Sequence, residues 1–465
     1  MQPSTPNADG VWQFHDLPIY GNGRLSPVLY RCGYCLYEGQ DPSFMHLITE
    51  TTSAAFAEWL GAAKQCGAAE TFSNAIDDNR YAALRTPAGG RYWCAYRSRP
   101  DSGVGEVRII SESAATAPLE SFGYTLAGSS DTAFYLYNMN SGAEDTYLIR
   151  TADRHWIIID GGTCMYNGID PNGDFGDGLY RFIRDQGLGP DEKPVISCWY
   201  LTHAHRDHFL GFQALLERHG NDVVLERIVA NVPDPAVADH NTNMPYFRRC
   251  METVQRFFPN VPYLKAHEGM KIPLADATFT VLGSQEAVLP YWAENHDVFH
   301  AKWKNFRKEP DAPDYEFRRR ACKLYDINNS SLISLIDVNG LSVLELGDAF
   351  RAEEWMFPYF RLETLKPDIL KAAHHFNNDE LIPTYCSLCK GGRPYFILVN
   401  SVAFARESNA RRLGEVLSPK QLILRAQLDR IFLFRRRRGK VEAEEMRAVF
   451  SYSADHPEAL FRNKE

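Results

Sequence analysis

Residues Leu201–Phe212 read LTHAHRDHFLGF and crowd His203, His205, Asp207 and His208 into one short window. At this chain's histidine and aspartate frequencies, H-x-H-x-D-H arises by accident in roughly one chain of this length in a thousand. Chance crowding on a solvated loop is therefore set aside. Upstream, PVISCWYLTH reads as a buried strand. Strand alternation would point His203 and His205 the same way, so that both can grip one cation. Downstream, GFQALLERHG reads as a helix, with Gly211 letting the chain bend. The turn between them would aim Asp207 and His208 at a second cation. Mixed imidazole and carboxylate ligation suits zinc, manganese or iron.

The surrounding pattern, from Asp131 onward, alternates strands with helices. TAFYLYNMN, DTYLIRT, HWIIIDGG, LERIVANV, ATFTVLG, SLISLID, LSVLELGD, ILKAAHH and PYFILVNS read as strands. Helices are expected at 178–186 and around NARRLGEVL, and RIFLFRRRRGKVEAEEMRAVF reads as a closing hairpin. Mixed sheets covered by helices, an α/β class, follow from this order. Residues 284–324, aromatic and charged with little periodicity, read as an insertion, a lid or substrate-selecting element holding His296 and His300.

Before Asp131 the chain reads differently. FMHLITETT suggests a strand, and SAAFAEWLGAAKQCG a helix capped by Ser53 and stopped at Gly67. RYAALRT, GRYWCAYRSR and EVRIISE follow as strands, and the small-residue run SESAATAPLESFG reads as a linker. The expected division is a small α+β unit of unknown role at 1–122 and a larger domain at 123–465. His46 stands alone and reads as structural. His219, His240 and His267 read as structural or solvated.

Composition narrows the function classes. With 465 residues, 45% hydrophobic and 23% charged, the chain can bury more than one core. The net charge of −9 disfavours a protein that coats nucleic acid, although a local basic patch remains possible. No apolar run is long enough for a membrane helix, and MQPSTPNADG has neither a basic nor an apolar leader region, so a cytoplasmic, non-membrane protein is expected. Ten cysteines in a chain of this length do not read as a disulfide framework. The pairs Cys32/Cys35 and Cys386/Cys389 lack a compact zinc-ribbon frame and read as free thiols. Arg435–Arg438 read as a solvated hairpin face, with substrate contact the lesser reading.

The histidine stretch resembles the signature of the metallo-β-lactamase superfamily, and three later or earlier landmarks match in order: IIIDGGT with Asp160, Gly161 and Gly162, LELGDAF with Asp348, and ILKAAHH with His374 and His375. The resemblance runs from about Asp131 to Phe434 and implies an αββα sandwich. It implies that His203, His205, Asp207, His208, Asp348 and one of His374 or His375 hold two divalent cations, zinc first, with manganese or iron as alternatives. Asp348 would bridge them, and Asp160 would orient a ligating histidine. NNSSLISLIDVNGLSVLELGDAF followed by LKAAHH looks like the hydrolase domain of ComEC-type competence proteins, matching at Asn328, Ser331, Leu332, Gly347, Asp348, Leu370, Lys371, His374 and His375. It departs where Phe376 and Asn377 replace that subgroup's glycine and serine, and it lacks the accompanying membrane channel.

Many superfamily members carry a further histidine where this chain reads YDINNSS. Asn328 or Asn329 stands there, so the first cation site is expected to be weakly held, unless His296 or His300 reaches in. A cation pair about 3.5–4 Å apart lowers the pKa of a shared water toward 7, which implies metal-assisted hydrolysis with Asp207 and Asp348 in the catalytic machinery. A phosphodiester or nucleotide-like small anion is the first substrate class, with Lys371 placed to touch it. Lactone, thioester or β-lactam hydrolysis is the alternative, as is a degenerate member that binds without turnover. Oligomeric state is not legible.

Overall fold

In the computed structural model, three sheets are stacked, and helices cover their outer faces. The described residues are 4–6, 12–33, 43–99, 102–137, 145–162, 174–186, 192–234, 243–293, 326–349, 351–377, 380–399, 407–418, 420–425 and 430–447. The first sheet is antiparallel and draws only on strands between Ser4 and Ser111. Alternation gives it two buried faces. Cys94, Tyr96, Val107 and Ile109 pack on Phe56, Trp59 and Ala63 of the helix Ser53–Gln65. Trp93, Ala95 and Ile110 face the other way, into the largest core.

That helix corrects one detail of the sequence reading. Its N-cap is Thr52, whose extended backbone lets its side chain accept from the Ala55 amide at 3.2 Å; Ser53 is already helical. The strand Ala69–Ile76, which the sequence reading passed over, is a sheet edge with mostly exposed or half-buried side chains. Without a buried face it lacks the alternation that marks a strand.

The second and third sheets form an αββα sandwich. Phe134, Leu136, Tyr147, Ile157, Ile159 and Tyr200 of the second sheet share a core with Phe279, Val281, Ile336 and Val343 of the third. The intervening residues Tyr135, Tyr137, Trp156, Ile158 and Trp199 point outward onto the helices Asp174–Asp185, Arg206–His219 and Met244–Phe257. Burial of both faces explains the near-continuous apolar runs WIIID and VISCWY, which pair in parallel. Leu388 and Leu413, from the helices Ile382–Cys389 and Glu407–Gly414, join the core of the third sheet.

The expected insertion begins differently from its reading. Val288, Leu289 and Trp292 are core residues, with Trp292 0% exposed. His296 and His300, like His240 and Cys35, lie outside the described residues. The expected hairpin forms from Arg430–Arg437 and Lys440–Arg447. Arg436 reaches Asp368 at 2.5 Å, so this residue braces the two sheets. Among the described residues, no helix is long and apolar enough to cross a membrane.

Candidate metal centre

Parallel strands deliver the candidate residues from their carboxyl ends, where α/β sheets place ligand crevices. Trp156–Asp160 ends on Asp160, Val195–Tyr200 runs into the histidine stretch, Leu341–Glu345 runs into Asp348, and Ile369–Lys371 into His374 and His375. The first pair lies in the second sheet and the second pair in the third, so the site forms where the two sheets face each other.

The geometry of the histidine stretch differs from the strand-based expectation. The strand stops at Tyr200, and Leu201–His205 is irregular, so strand alternation does not align the imidazoles. A loop brings the His203 and His205 rings within 4.9 Å of each other. His205 is the N-cap of the helix Arg206–His219, which places Asp207 and His208 in its first turn. Nor does Gly211 bend the chain. The helix runs through it, and a Cβ there would lie 2.2 Å from the Gly161 carbonyl oxygen. Glycine lets the helix pack against the Asp160–Gly162 turn.

Asp160 sits at φ 60°, a left-handed conformation that aspartate tolerates better than most residues. Its Oδ1 accepts from the Thr202 amide at 2.7 Å, and Oδ2 accepts from the Thr202 hydroxyl at 2.8 Å. Oδ2 also lies 2.7 Å from His208 Nδ1. Asp160 is thus in direct contact with the His208 ring. A carboxylate behind one ring nitrogen leaves Nε2 to act as ligand. His208 Nε2 in turn lies 3.2 Å from Asp348 Oδ2.

Asp348 is held on both sides. Its amide donates to Ser331 Oγ at 3.0 Å, and Oδ1 accepts from the His374 amide at 3.1 Å and faces Lys371 Nζ at 3.3 Å. Gly347, at φ 52°, is required here because a Cβ would lie 2.6 Å from Ser331 Cβ. His375 Nε2 lies 2.9 Å from Asp207 Oδ2 and 3.4 Å from Asp348 Oδ2. His374, His375 and Phe376 all have positive φ. Three successive left-handed residues are a strained arrangement of the kind that persists at ligand sites. It turns the His375 ring inward and gives the His374 amide to Asp348.

One member of the cluster escaped the sequence reading. Asp145, Asp348, His208 and His375 offer ligand atoms that all lie within 4.8 Å of one another, and all four residues are buried. Asp145 is 0% exposed and pairs with Lys371 at 2.5 Å. Its only sequence signal is an acid just before the buried strand TYLIR, whose first residue, Thr146, pairs in register with Asp160. Lys371 also donates to the Gly347 carbonyl at 2.6 Å, so the structure places it behind the carboxylates rather than at the mouth. His374 is not part of this group.

The electrostatics follow from burial and close opposite charges. Burial lowers the His203 pKa, and the neighbouring His208 and His205 push it further, well below the ordinary value. Burial also opposes charge on His208 and His375, yet the carboxylates win. Asp348 and Asp160 raise His208 well above the ordinary value, and Asp348, Asp145 and Asp207 bring His375 to about 9. Burial raises Asp348, but His375, His208 and Lys371 outweigh it and hold the acid well below the usual carboxylate range. Glu345, paired in register with Lys371 on the neighbouring strand, is pushed up to about 8 mainly by burial.

These residues fit a divalent cation site. The carboxylates create a negative field, and the donor set mixes imidazole with carboxylate. His203 Nε2 and Asn328 Oδ1 are buried and have no hydrogen-bond partner among the described residues. Such groups are costly unless a ligand satisfies them. Asn329 has another task, since its Oδ1 accepts from the Arg351 amide at 3.0 Å. Of the two asparagines at the missing histidine's place, Asn328 is the one with an uncommitted oxygen.

Other candidates fall elsewhere. His46 is buried, stacks on Trp12 at 4.9 Å and accepts from the Gln13 amide. His219 pairs with Asp177 at 2.8 Å, and His267 lies between Glu112 and Glu286. Cys32 and Cys389 are free thiols pushed up to about 12 mainly by burial.

No curated protein matches the chain. Its residues 140–300 match the family model of the metallo-beta-lactamase superfamily. That span includes the Asp160 turn and the whole histidine stretch and stops short of Asp348, Lys371 and His375, which tertiary structure brings to the same place. The chain thus carries a metallo-beta-lactamase superfamily domain at residues 140–300.

Proposed function

We propose that this protein is a metal-dependent hydrolase acting on a phosphodiester or related small anionic phosphoester, of the ComEC-like type. The observation that carries the reading is the buried cluster of Asp145, His208, Asp348 and His375 beside His203 Nε2, which has no hydrogen-bond partner among the described residues. His203, His205 and Asn328 would hold one cation, and Asp207, His208 and His375 the other, with Asp348 shared. Divalent cations bound there would activate water as nucleophile near neutral pH and neutralise charge developing on the substrate.

The chain's own residues do the rest. Asp160 fixes the ring orientation of His208, so Nε2 faces the site without rearrangement. Lys371 holds Asp348 Oδ1 and leaves Oδ2 toward the imidazoles. Asp207 is 33% exposed and forms the solvent-facing wall. Arg206, between two of the proposed ligands, supports an anionic substrate. Its Nε donates to Asn243 Oδ1 at 3.0 Å, and its guanidinium lies 5.1 Å from the centre of the Tyr246 ring. A tethered fork of this kind suits phosphate better than a flexible ammonium does.

Metal analysis and turnover of bis(p-nitrophenyl) phosphate with Zn²⁺ or Mn²⁺ test the reading. We expect at least about one transition metal per chain, and diesterase activity that Asp348→Ala abolishes. Arg206→Gln should raise KM with metal content unchanged. Less metal than that rejects the hydrolase reading, while turnover of lactones or thioesters alone rejects the phosphoester class.

A further inference from the structure

We infer that the first sheet is a working part of the metal centre, and that Arg97 is a positioning residue acting on it through Trp355. This rests on the proposed metal-dependent function. The first sheet lies outside the 140–300 family match, and nothing in the sequence assigned it a task.

Arg97, on the strand Arg91–Ser98, is 1% exposed. Each of its three guanidinium nitrogens has a partner. Nε meets Glu268 Oε1 at 3.0 Å, Nη1 meets Glu106 Oε1 at 3.1 Å, and Nη2 donates to the Trp355 carbonyl at 2.7 Å. The planar group also lies 3.6 Å from the centre of the Tyr359 ring. Asn79 adds a second grip, donating to the Tyr359 carbonyl at 2.7 Å while accepting from the Ser98 amide at 2.8 Å. A third comes from Asp77, which accepts from the Arg361 amide at 2.8 Å. Three polar anchors of one sheet thus hold a segment that leaves the centre just after Asp348.

That segment reaches back to the site. The Trp355 indole N–H points at Asn329 Oδ1 at 3.5 Å, the same oxygen that accepts from the Arg351 amide. Asn329 neighbours Asn328, with its uncommitted buried oxygen, and the same turn supplies Ser331 to the Asp348 amide. A buried ion pair used only as glue can often be replaced by apolar residues without loss. Here the guanidinium does what an apolar residue cannot, because it fixes a backbone carbonyl and an aromatic ring together. It sets where Trp355 lies, and through Asn329 where the Asn328 and Asp348 walls stand.

The test compares the full-length wild type with Arg97→Met, Arg97→Lys and Trp355→Phe. Trp59→Leu, in the helix Ser53–Gln65 packed on the opposite face of the same sheet, serves as a control that weakens that packing alone. Metal-free protein is followed by amide hydrogen exchange, and zinc affinity and the cobalt(II) visible spectrum are then measured. Arg97→Met should speed exchange at least tenfold at 326–331 and 347–355, weaken zinc at least tenfold and shift the cobalt bands. Arg97→Lys should recover part of this, and Trp355→Phe should reproduce the changes at 326–331 with the sheet intact. Trp59→Leu should leave exchange at both segments and the cobalt spectrum as in wild type. Unchanged exchange at both segments in Arg97→Met and Trp355→Phe overturns the positioning role. A wild type that binds no metal rejects the hydrolase reading instead, and the exchange data still decide the positioning.

Discussion

Asp160→Asn is an informative single change, because it keeps shape and volume while replacing one acceptor oxygen with an NH₂ donor and removing the charge. The native carboxylate accepts three hydrogen bonds, from the Thr202 amide, the Thr202 hydroxyl and His208 Nδ1, all within 2.8 Å. In the variant, the amide oxygen still accepts from the Thr202 amide, and the Thr202 hydroxyl can rotate to accept from the new NH₂. His208 cannot adapt without consequence. To accept from the NH₂, Nδ1 must give up its proton, which moves to Nε2, the nitrogen 3.2 Å from Asp348. Either one charge-assisted hydrogen bond is lost, costing about 1.5–3 kcal/mol, or the ring takes the tautomer that cannot ligate. We expect the fold to survive with a urea midpoint lowered accordingly. Zinc affinity, read by chelator competition, should fall roughly 10–100-fold, as for other changes behind a ligating histidine. Zinc affinity within twofold of wild type, in a variant with native near-UV circular dichroism, would refute the argument that Asp160 sets the His208 tautomer.

Two further outcomes are expected. His375→Ala should remove one equivalent of bound metal, whereas His374→Ala should keep the stoichiometry, because only the His375 ring lies in the ligand cluster; elemental analysis giving the reverse order would reassign the pair. His267 is raised from 6.5 to about 9, burial being outweighed by Glu112 and Glu286. A folded-state pKa above the unfolded one means that its stabilisation is complete below about pH 6.5 and fades as pH climbs through about 9. The shift corresponds to at most about 3 kcal/mol. Urea midpoints should therefore fall between pH 6 and 9.5 in wild type, and this fall should flatten in His267→Gln. An equal pH dependence in both proteins would show that His267 is not the titrating group.

What was legible along the chain shares one property: its meaning is local. His203, His205, Asp207 and His208 could be singled out because a short loop and one helical turn gather them. The runs WIIID and VISCWY could be read as buried strands because both faces are covered, and the succession of strands and helices marked an α/β class. Local signals also misled. Two histidines at i and i+2 suggested a strand face, whereas a loop brings them together. Gly211 suggested a bend, whereas it permits close packing of an uninterrupted helix.

By itself, then, the sequence determined the composition of the histidine wall, the α/β class and the absence of a histidine at Asn328. Tertiary structure alone decided which of His374 and His375 turns inward, since that depends on three left-handed residues following a buried strand. It alone brought Asp145 beside Lys371 and Asp348, partners separated by more than two hundred residues, and gave the first sheet its grip on Trp355. The physical reason is range. Ligand identity and strand patterning are written over a few residues, but burial, the charge field and a shared hydrogen bond exist only once distant segments pack together.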